Sequence, residues 1–221
     1  MVKHIEISAS ILACNPLTIG SCIKEAEIAG ADIIHVDIMD GHYVNNLTFG
    51  ANTIKYIRKE TSLPIDVHLE VLNPENFIKD FSEAGADIIT VQLDTCKHPI
   101  RILQMIRSFG KKAGLAINPH IGLESVSYLK DYMDYLLIMA VEPGFGGQKF
   151  QEIALEKIKK ARELIKDICI NIPIVVDGGV NADNIGSIRG AGADIFIVGS
   201  SIYNDNCIKD NIELLRIRGQ L

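Results

Sequence analysis

Short apolar runs alternate along the chain with longer segments whose apolar residues recur at helical spacing. Strands buried on both faces read as continuous apolar runs, whereas amphipathic helices repeat apolar residues every three or four positions. The clearest helical pattern covers 151–168. The pattern predicts strands near residues 5–11, 33–38, 65–70, 87–92, 113–117, 135–141, 173–177 and 195–199.

An Ala-Gly-Ala-Asp motif occurs at 29–32, 84–87 and 191–194, each time just before an apolar run. The glycine allows a helix to end in the left-handed conformation, so that a strand can begin at once. Such junctions predict alternating strands and helices around a parallel sheet. Eight βα units without a linker predict an α/β fold, a TIM (β/α)8 barrel in which 1–221 form one domain. The rival architecture is a doubly wound open sheet, which usually has fewer strands.

Composition excludes several classes of function. The 221 residues are 48% hydrophobic and 23% charged, and the net charge of −6 without a basic stripe argues against nucleic-acid binding. The apolar runs are too short to span a bilayer. Five scattered cysteines form no CxxC pair, which favours reduced thiols and a cytoplasmic location over a disulfide framework.

Glycine-rich segments follow the last three predicted strands, at 143–148, 177–180 and 198–201. Glycine lets backbone amides approach an anion closely, and the loops after the seventh and eighth strands commonly bind phosphate in this barrel. None of these segments contains Lys or Arg, so backbone amides are expected to bind most of the phosphate.

Four polar residues lie near the ends of otherwise apolar runs: His35, Asp37, His68 and Asp177. A single such residue is usually a hydrogen-bonded core histidine or a loop cap. Four of them near the barrel axis are costly unless they share a partner, and a cation would satisfy them all. Two imidazoles and two carboxylates suit Zn²⁺, Mn²⁺, Fe²⁺ and Co²⁺ about equally.

The two carboxylates come from well-separated strands and can face a substrate from opposite sides. One could then remove a proton from a carbon while the other delivers a proton to the opposite face. A cation bound to the adjacent carbonyl and hydroxyl would stabilise the enediolate. This chemistry corresponds to epimerisation of a keto-sugar phosphate.

Five segments together resemble the ribulose-phosphate 3-epimerase family, almost from end to end and in matching order. The most specific are 35–50 and 141–148; the others are 8–12, 66–69 and 176–180. The resemblance implies a barrel of the ribulose-phosphate-binding type that interconverts D-ribulose 5-phosphate and D-xylulose 5-phosphate in the pentose phosphate pathway. It also implies a cytoplasmic homo-oligomer, either a dimer or a hexamer.

The resemblance further implies one divalent metal ion per subunit, usually zinc or iron, with manganese or cobalt as alternatives. Its ligands would be His35, Asp37, His68 and Asp177, and the acid/base pair would be Asp37 and Asp177. Substrate contacts would come from Ser10, Met39, His68 and Met139. The phosphate would be bound by Gly146, Gly147, Gly178, Gly179, Gly199 and Ser200.

The chain departs from the family pattern along the predicted sugar-facing wall. Glu70 stands where the family usually has a third pocket methionine, and it could join the metal, bind a substrate hydroxyl or raise the pKa of neighbouring carboxylates. Gln92 replaces the histidine of the usual His-x-Glu, His120 replaces the glycine of a Gly-Thr pair, and Asn45 replaces a proline.

These departures leave two further hypotheses. The same chemistry could act on another ketose phosphate, such as allulose 6-phosphate, or the protein could bind a phosphosugar without catalysis. A related family of sugar-phosphate decarboxylases carries Asp-x-Lys-x-x-Asp on a strand. Here 37–40 read Asp-Ile-Met-Asp without a lysine, which argues against decarboxylation.

Overall fold

The computed structural model describes residues 5–203 and 207–220. Its parallel strands form a closed barrel in which each strand pairs with the next and the last pairs with the first. They are β1 Glu6–Ser10, β2 Ile33–Met39, β3 Ile65–Glu70, β4 Ile88–Gln92, β5 Lys112–Ile117, β6 Tyr135–Met139, β7 Ile174–Asp177 and β8 Ile195–Val198. This closure confirms the predicted α/β TIM barrel and excludes the open sheet.

Helices occupy the segments between the strands, as the periodicity predicts. They are α1 Ile19–Ile28, α2 Ala51–Glu60, α3 Ile78–Ala84, α4 Pro99–Ser108, α5 Val126–Leu129, α6 Ile153–Asp167, α7 Ile185–Ala191, α8 Ser200–Tyr203 and α9 Ile208–Gln220. Short 3-10 turns cover Ile11–Ala13, Pro74–Asn76 and Leu93–Thr95. Within the part of the chain that the structure describes, no helix is long and apolar enough to cross a membrane.

Alternation along each strand separates the core from the barrel interior. On β2, Ile34, Val36 and Ile38 belong to the main hydrophobic core, which lies between the sheet and the helices. The residues between them, His35 and Asp37, therefore point into the barrel. A smaller apolar cluster fills the interior below the polar site and consists of Ile33, Ile88, Ala116, Tyr135, Leu137, Met139, Val175, Ile195 and Ile197.

The repeated motif has a structural role at the N-terminal end of the barrel. Its glycines, Gly30, Gly85 and Gly192, take φ of 93°, 116° and 118°. The aspartate that follows accepts a hydrogen bond from a backbone N–H of the neighbouring odd-numbered strand, for example from Ile65 to Asp87 at 2.9 Å. An arginine from a surrounding helix binds the same aspartate.

Four such Arg–Asp pairs, called clasps below, occur around the described barrel, and each precedes an even-numbered strand. They pair Arg216 with Asp32, Arg58 with Asp87, Arg107 with Asp134 and Arg162 with Asp194. The third clasp forms without the Ala-Gly-Ala-Asp motif, because Asp134 follows Tyr132 and Met133.

Candidate active site

One cavity opens at the C-terminal mouth of the barrel, where the ends of β1, β2, β3, β6, β7 and β8 meet. Most residues predicted for the site line it. They are Ser10, Asp37, Met39, Glu70, Met139, Gly146, Gly147, Asp177, Gly178, Gly179, Gly199 and Ser200. The exceptions are His35 and His68, which are fully buried and add no surface to the cavity wall.

The four predicted metal ligands come together at this mouth. One ligand atom from each of His35, Asp37, His68 and Asp177 lies within 4.8 Å of the others. Asp37 Oδ1 is 3.0 Å from His35 Nε2 and 3.1 Å from His68 Nδ1. Two ring nitrogens and two carboxylate oxygens at this spacing are a donor set suited to a divalent transition metal. The group could therefore hold a metal ion.

His35 is held by a second carboxylate that the sequence analysis did not assign to the site. Asp66 Oδ2 lies 2.8 Å from His35 Nδ1, on the ring edge away from Asp37. A carboxylate in this position accepts the Nδ1 proton and fixes the orientation of the ring, so that Nε2 is the nitrogen directed at Asp37. Alternation places residues 66 and 68 on the same face of β3, and this was the available signal.

Asp66 is in turn held by two hydroxyl groups from across the barrel. Tyr135 donates to Asp66 Oδ1 at 2.7 Å, and Thr90 donates to the same oxygen at 2.9 Å. Gly114 leaves room for both, since a Cβ there would lie 2.5 Å from the Thr90 hydroxyl and 2.6 Å from the Tyr135 ring. Burial raises the pKa of Tyr135, and the Asp66 carboxylate raises it further, so the phenol keeps its proton. Residues of β4, β5 and β6 thus support a candidate metal ligand on β2.

His68 contacts Gln92, the residue of β4 that departs from the family pattern. Its Nε2 is 3.1 Å from the side-chain amide of Gln92, which is fully buried. The amide nitrogen of Gln92 faces His68 and donates to Nε2, so that Nδ1 carries the ring proton that faces Asp37. Gln92 therefore orients a histidine of the site. His120 has a different position: its side chain is exposed and lies 3.8 Å from Glu142, outside the cavity lining.

The two carboxylates of the predicted acid/base pair have pKa values displaced in opposite directions. Burial alone would raise the pKa of Asp37, but the charges and hydrogen bonds of His35 and His68 hold it well below its usual range. Burial and the nearby Asp37 carboxylate raise the pKa of Asp177 to about 6. A pair of carboxyl groups separated in this way can divide the roles of base and acid.

Glu70 closes the cavity on the side of β3 and is 2% exposed. Burial raises its pKa to about 8; His68 opposes this rise, while Asp37 and Asp177 reinforce it. Its Oε1 is 4.0 Å from His68 Nδ1, beyond hydrogen-bonding distance. Glu70 is also absent from the group of four residues that could hold a metal.

The glycine-rich loops form the opposite wall. Gly147, Gly178 and Gly179 take φ of 74°, 111° and 67°, a region that other residues rarely adopt. A Cβ on Gly179 would lie 2.3 Å from the backbone nitrogen of Phe150, so this loop packs directly on neighbouring backbone. Among the described residues that line the cavity, none is Lys or Arg. Backbone amides and the Ser200 hydroxyl are thus the donors available to an anion at this wall.

Comparisons with known proteins agree with this geometry. The profile of the ribulose-phosphate 3 epimerase family matches residues 6–203. Ribulose-phosphate 3-epimerase of Bacillus subtilis (strain 168) is 40% identical over 217 residues, which cover 96% of this chain and 98% of the relative. The enzyme of the same name from Escherichia coli (strain K12) is 42% identical over 216 residues, covering 97% of this chain and 96% of that protein.

Solved structures extend the comparison to the fold. The crystal structure of KGPDC from Streptococcus mutans aligns with a TM-score of 0.75 at 13% identity and covers 99% of this chain and 98% of that one. Identity this low supports the barrel fold alone. The match of family profile and full-length relatives is decisive at the level of sequence: the chain belongs to the ribulose-phosphate 3-epimerase family and is a carbohydrate epimerase.

Proposed function

We propose that the protein inverts the configuration at C3 of a ketose phosphate, interconverting D-ribulose 5-phosphate and D-xylulose 5-phosphate. The observation that carries the proposal is the pair formed by Asp37 and Asp177. Both carboxylates line one cavity, and their pKa values are displaced in opposite directions. Inverting a carbon needs a base on one face and an acid on the other, and this pair supplies both.

The remaining residues of the cavity bind different parts of the substrate. Backbone amides near Gly147, Gly178 and Gly179 bind the phosphate, since the wall they form offers no cationic side chain. Ser10, whose hydroxyl donates to Asp37 Oδ2 at 3.2 Å, holds that carboxylate in place and adjoins the sugar. Met39 and Met139 form the apolar part of the wall.

Proton transfer then involves the two carboxylates. Asp37, kept ionised by its two histidines, accepts the C3 proton through a carboxylate oxygen. Asp177, with a pKa of about 6, gives a proton to C3 from the other side. The roles exchange in the reverse reaction, and together such transfers contribute rate factors of about 10² to 10⁴.

We further propose that His35, Asp37, His68 and Asp177 hold one divalent metal ion, zinc or iron in the first instance and manganese or cobalt as alternatives. When bound, the cation supplies Lewis-acid stabilisation of the negative charge that develops as the C3 proton leaves. The Asp66 carboxylate and the Gln92 amide fix the orientation of the two histidine rings, so that one ring nitrogen of each faces the other proposed ligands.

The test is incubation of the metal-reconstituted protein with D-ribulose 5-phosphate in D₂O, followed by NMR. We expect D-xylulose 5-phosphate that carries deuterium at C3. Deuterium exchange without epimerisation would show that only one carboxylate transfers protons to this sugar. With metal bound and no exchange, the proposed substrate is wrong, and a panel that includes allulose 6-phosphate identifies the correct one or shows binding without catalysis.

The homo-oligomeric state, dimer or hexamer, stays a prediction that rests on the family resemblance, and the cytoplasmic location stays one that rests on the scattered cysteines. Light scattering coupled to size-exclusion chromatography tests the first. Fractionation of cells that express the protein tests the second.

A further inference from the structure

Glu70 is a buried acid, and one of its two carboxyl oxygens has no hydrogen-bond partner among the described residues. It is the last residue of β3, it lines the cavity, and its Oε2 accepts no hydrogen bond from any described group. Buried polar atoms in proteins are almost always hydrogen-bonded, because an unsatisfied one loses its hydration without compensation. A ligand that fills the cavity is the remaining source of a donor for Glu70.

The position of Glu70 in the ring indicates which part of the ligand it meets. In a closed barrel of eight strands, β3 is four strands from β7 in either direction, so the two lie on opposite sides. The glycine loops proposed to bind phosphate follow β6, β7 and β8. Glu70 therefore forms the wall of the cavity that is farthest from the phosphate.

The ligand must extend between these two walls. If its phosphate is bound at the loops and its C3 lies between Asp37 and Asp177, then C4 and C5 lie on the phosphate side. The atoms left for the β3 side are C2 and C1, and C1 carries a free hydroxyl. In the resembling enzymes a methionine stands at this position, and its thioether is only a weak acceptor.

We infer that Glu70 binds the C1 hydroxyl of the ketose phosphate and makes that hydroxyl a requirement for good substrates. The inference rests on the proposed function and adds a specificity determinant to it. It names a hydrogen bond between the Glu70 carboxyl group and the C1 hydroxyl, with no part in proton transfer at C3. The substrate class that follows is ketose phosphates with a C1 hydroxymethyl group.

A pair of sugars isolates this contact. D-Xylulose 5-phosphate and 1-deoxy-D-xylulose 5-phosphate differ only in the C1 hydroxyl, and C3 deuterium incorporation in D₂O gives kcat/KM for each. We expect the native protein to prefer the hydroxylated sugar by about 2- to 10-fold, the range for a hydrogen bond between uncharged groups. Glu70→Met should reduce the ratio to about 1, through loss of activity on D-xylulose 5-phosphate alone, as a lost hydrogen bond requires.

Glu70→Gln is the matched control, because the amide keeps the shape, an acceptor oxygen and a donor, so its ratio should stay at about 2 to 10. Glu70→Leu removes the polar group as Glu70→Met does, and it carries the test if that variant does not fold. A native-like ratio in Glu70→Met or Glu70→Leu, or a ratio of about 1 in Glu70→Gln, would overturn the inference while leaving the proposed function in place.

Two further outcomes separate the hypotheses. Bound metal, measured by elemental analysis of the purified variants, should equal that of the native protein. A marked loss in Glu70→Met would make Glu70 a metal ligand and overturn its role toward the hydroxyl. If the native protein exchanges the C3 proton of neither sugar, the proposed function and this inference fail together.

Discussion

Two glycines in the loops proposed to bind phosphate allow two effects on stability to be separated: the steric clash of an added Cβ and the backbone strain of positive φ. Gly147 and Gly179 both take positive φ, 74° and 67°. A Cβ on Gly147 has no atom within 4 Å, whereas a Cβ on Gly179 meets Phe150 N at 2.3 Å and Gln148 O at 2.8 Å. Substituting each glycine by alanine therefore imposes the same backbone strain at both sites and a clash at only one.

The expected free energies follow from these contacts. An L-residue in the left-handed region costs about 1–2 kcal/mol, which is the whole effect expected for Gly147→Ala. Gly179→Ala adds overpacking against backbone atoms that cannot rotate away, a further ~1–3 kcal/mol. For a chain of this size, 1 kcal/mol changes Tm by about 2–4 °C.

Thermal unfolding monitored by circular dichroism measures both variants under one buffer condition. We expect Gly147→Ala to lower Tm by about 2–8 °C and Gly179→Ala to lower it by roughly 2–12 °C more. Urea titration gives the same order through the midpoint. Equal losses in the two variants would refute the packing argument, because the strain common to both would then explain everything.

Three further predictions concern the polar site. Asp177→Asn should lower kcat by about 10²- to 10⁴-fold, because the variant loses one of the two proton-transferring carboxylates. Its Tm should stay near the native value, because the ion pair of Asp177 with His35 Nε2 is long, at 3.9 Å. Near-native turnover would refute the two-carboxylate mechanism. Asp66→Asn should weaken metal binding by about 10- to 100-fold in competition with a chromogenic chelator, and unchanged affinity would deny Asp66 its orienting role. Tyr135→Phe should cost about 1.5–3 kcal/mol in urea unfolding through loss of the hydrogen bond to Asp66, and an unchanged midpoint would count against that bond.

Much of the fold could be predicted because the two patterns that indicate it, apolar runs and helix-ending glycines, each involve only a few neighbouring residues. Apolar runs located the strands to within two residues, and glycines marked where helices end. The boundaries differ where the chain turns early: the first predicted strand, 5–11, ends at Ser10 because Ile11–Ala13 form a 3-10 turn. None of the four clasps was predicted, because each joins an aspartate to an arginine that lies 27 or more residues away in the sequence.

The part of the candidate site that follows from residue type and from alternation along a strand could be predicted. His35, Asp37, His68 and Asp177 were identified because polar residues in apolar strands are conspicuous. The supporting contacts depend on which side chains meet across the barrel interior. Tyr135 and Asp66 are 69 residues apart, and Tyr135 reads as an ordinary strand residue until barrel closure brings it to Asp66.

The four Arg–Asp clasps differ greatly in the length of chain that they join. Three of them link residues 27, 29 and 32 positions apart, whereas Arg216 of α9 reaches back 184 positions to Asp32. On the ribosome, the three short links can form as each quarter of the barrel emerges, at a small cost in loop entropy. The fourth joins α9 to the start of β2, so that it can form only after every strand of the described barrel has been synthesised.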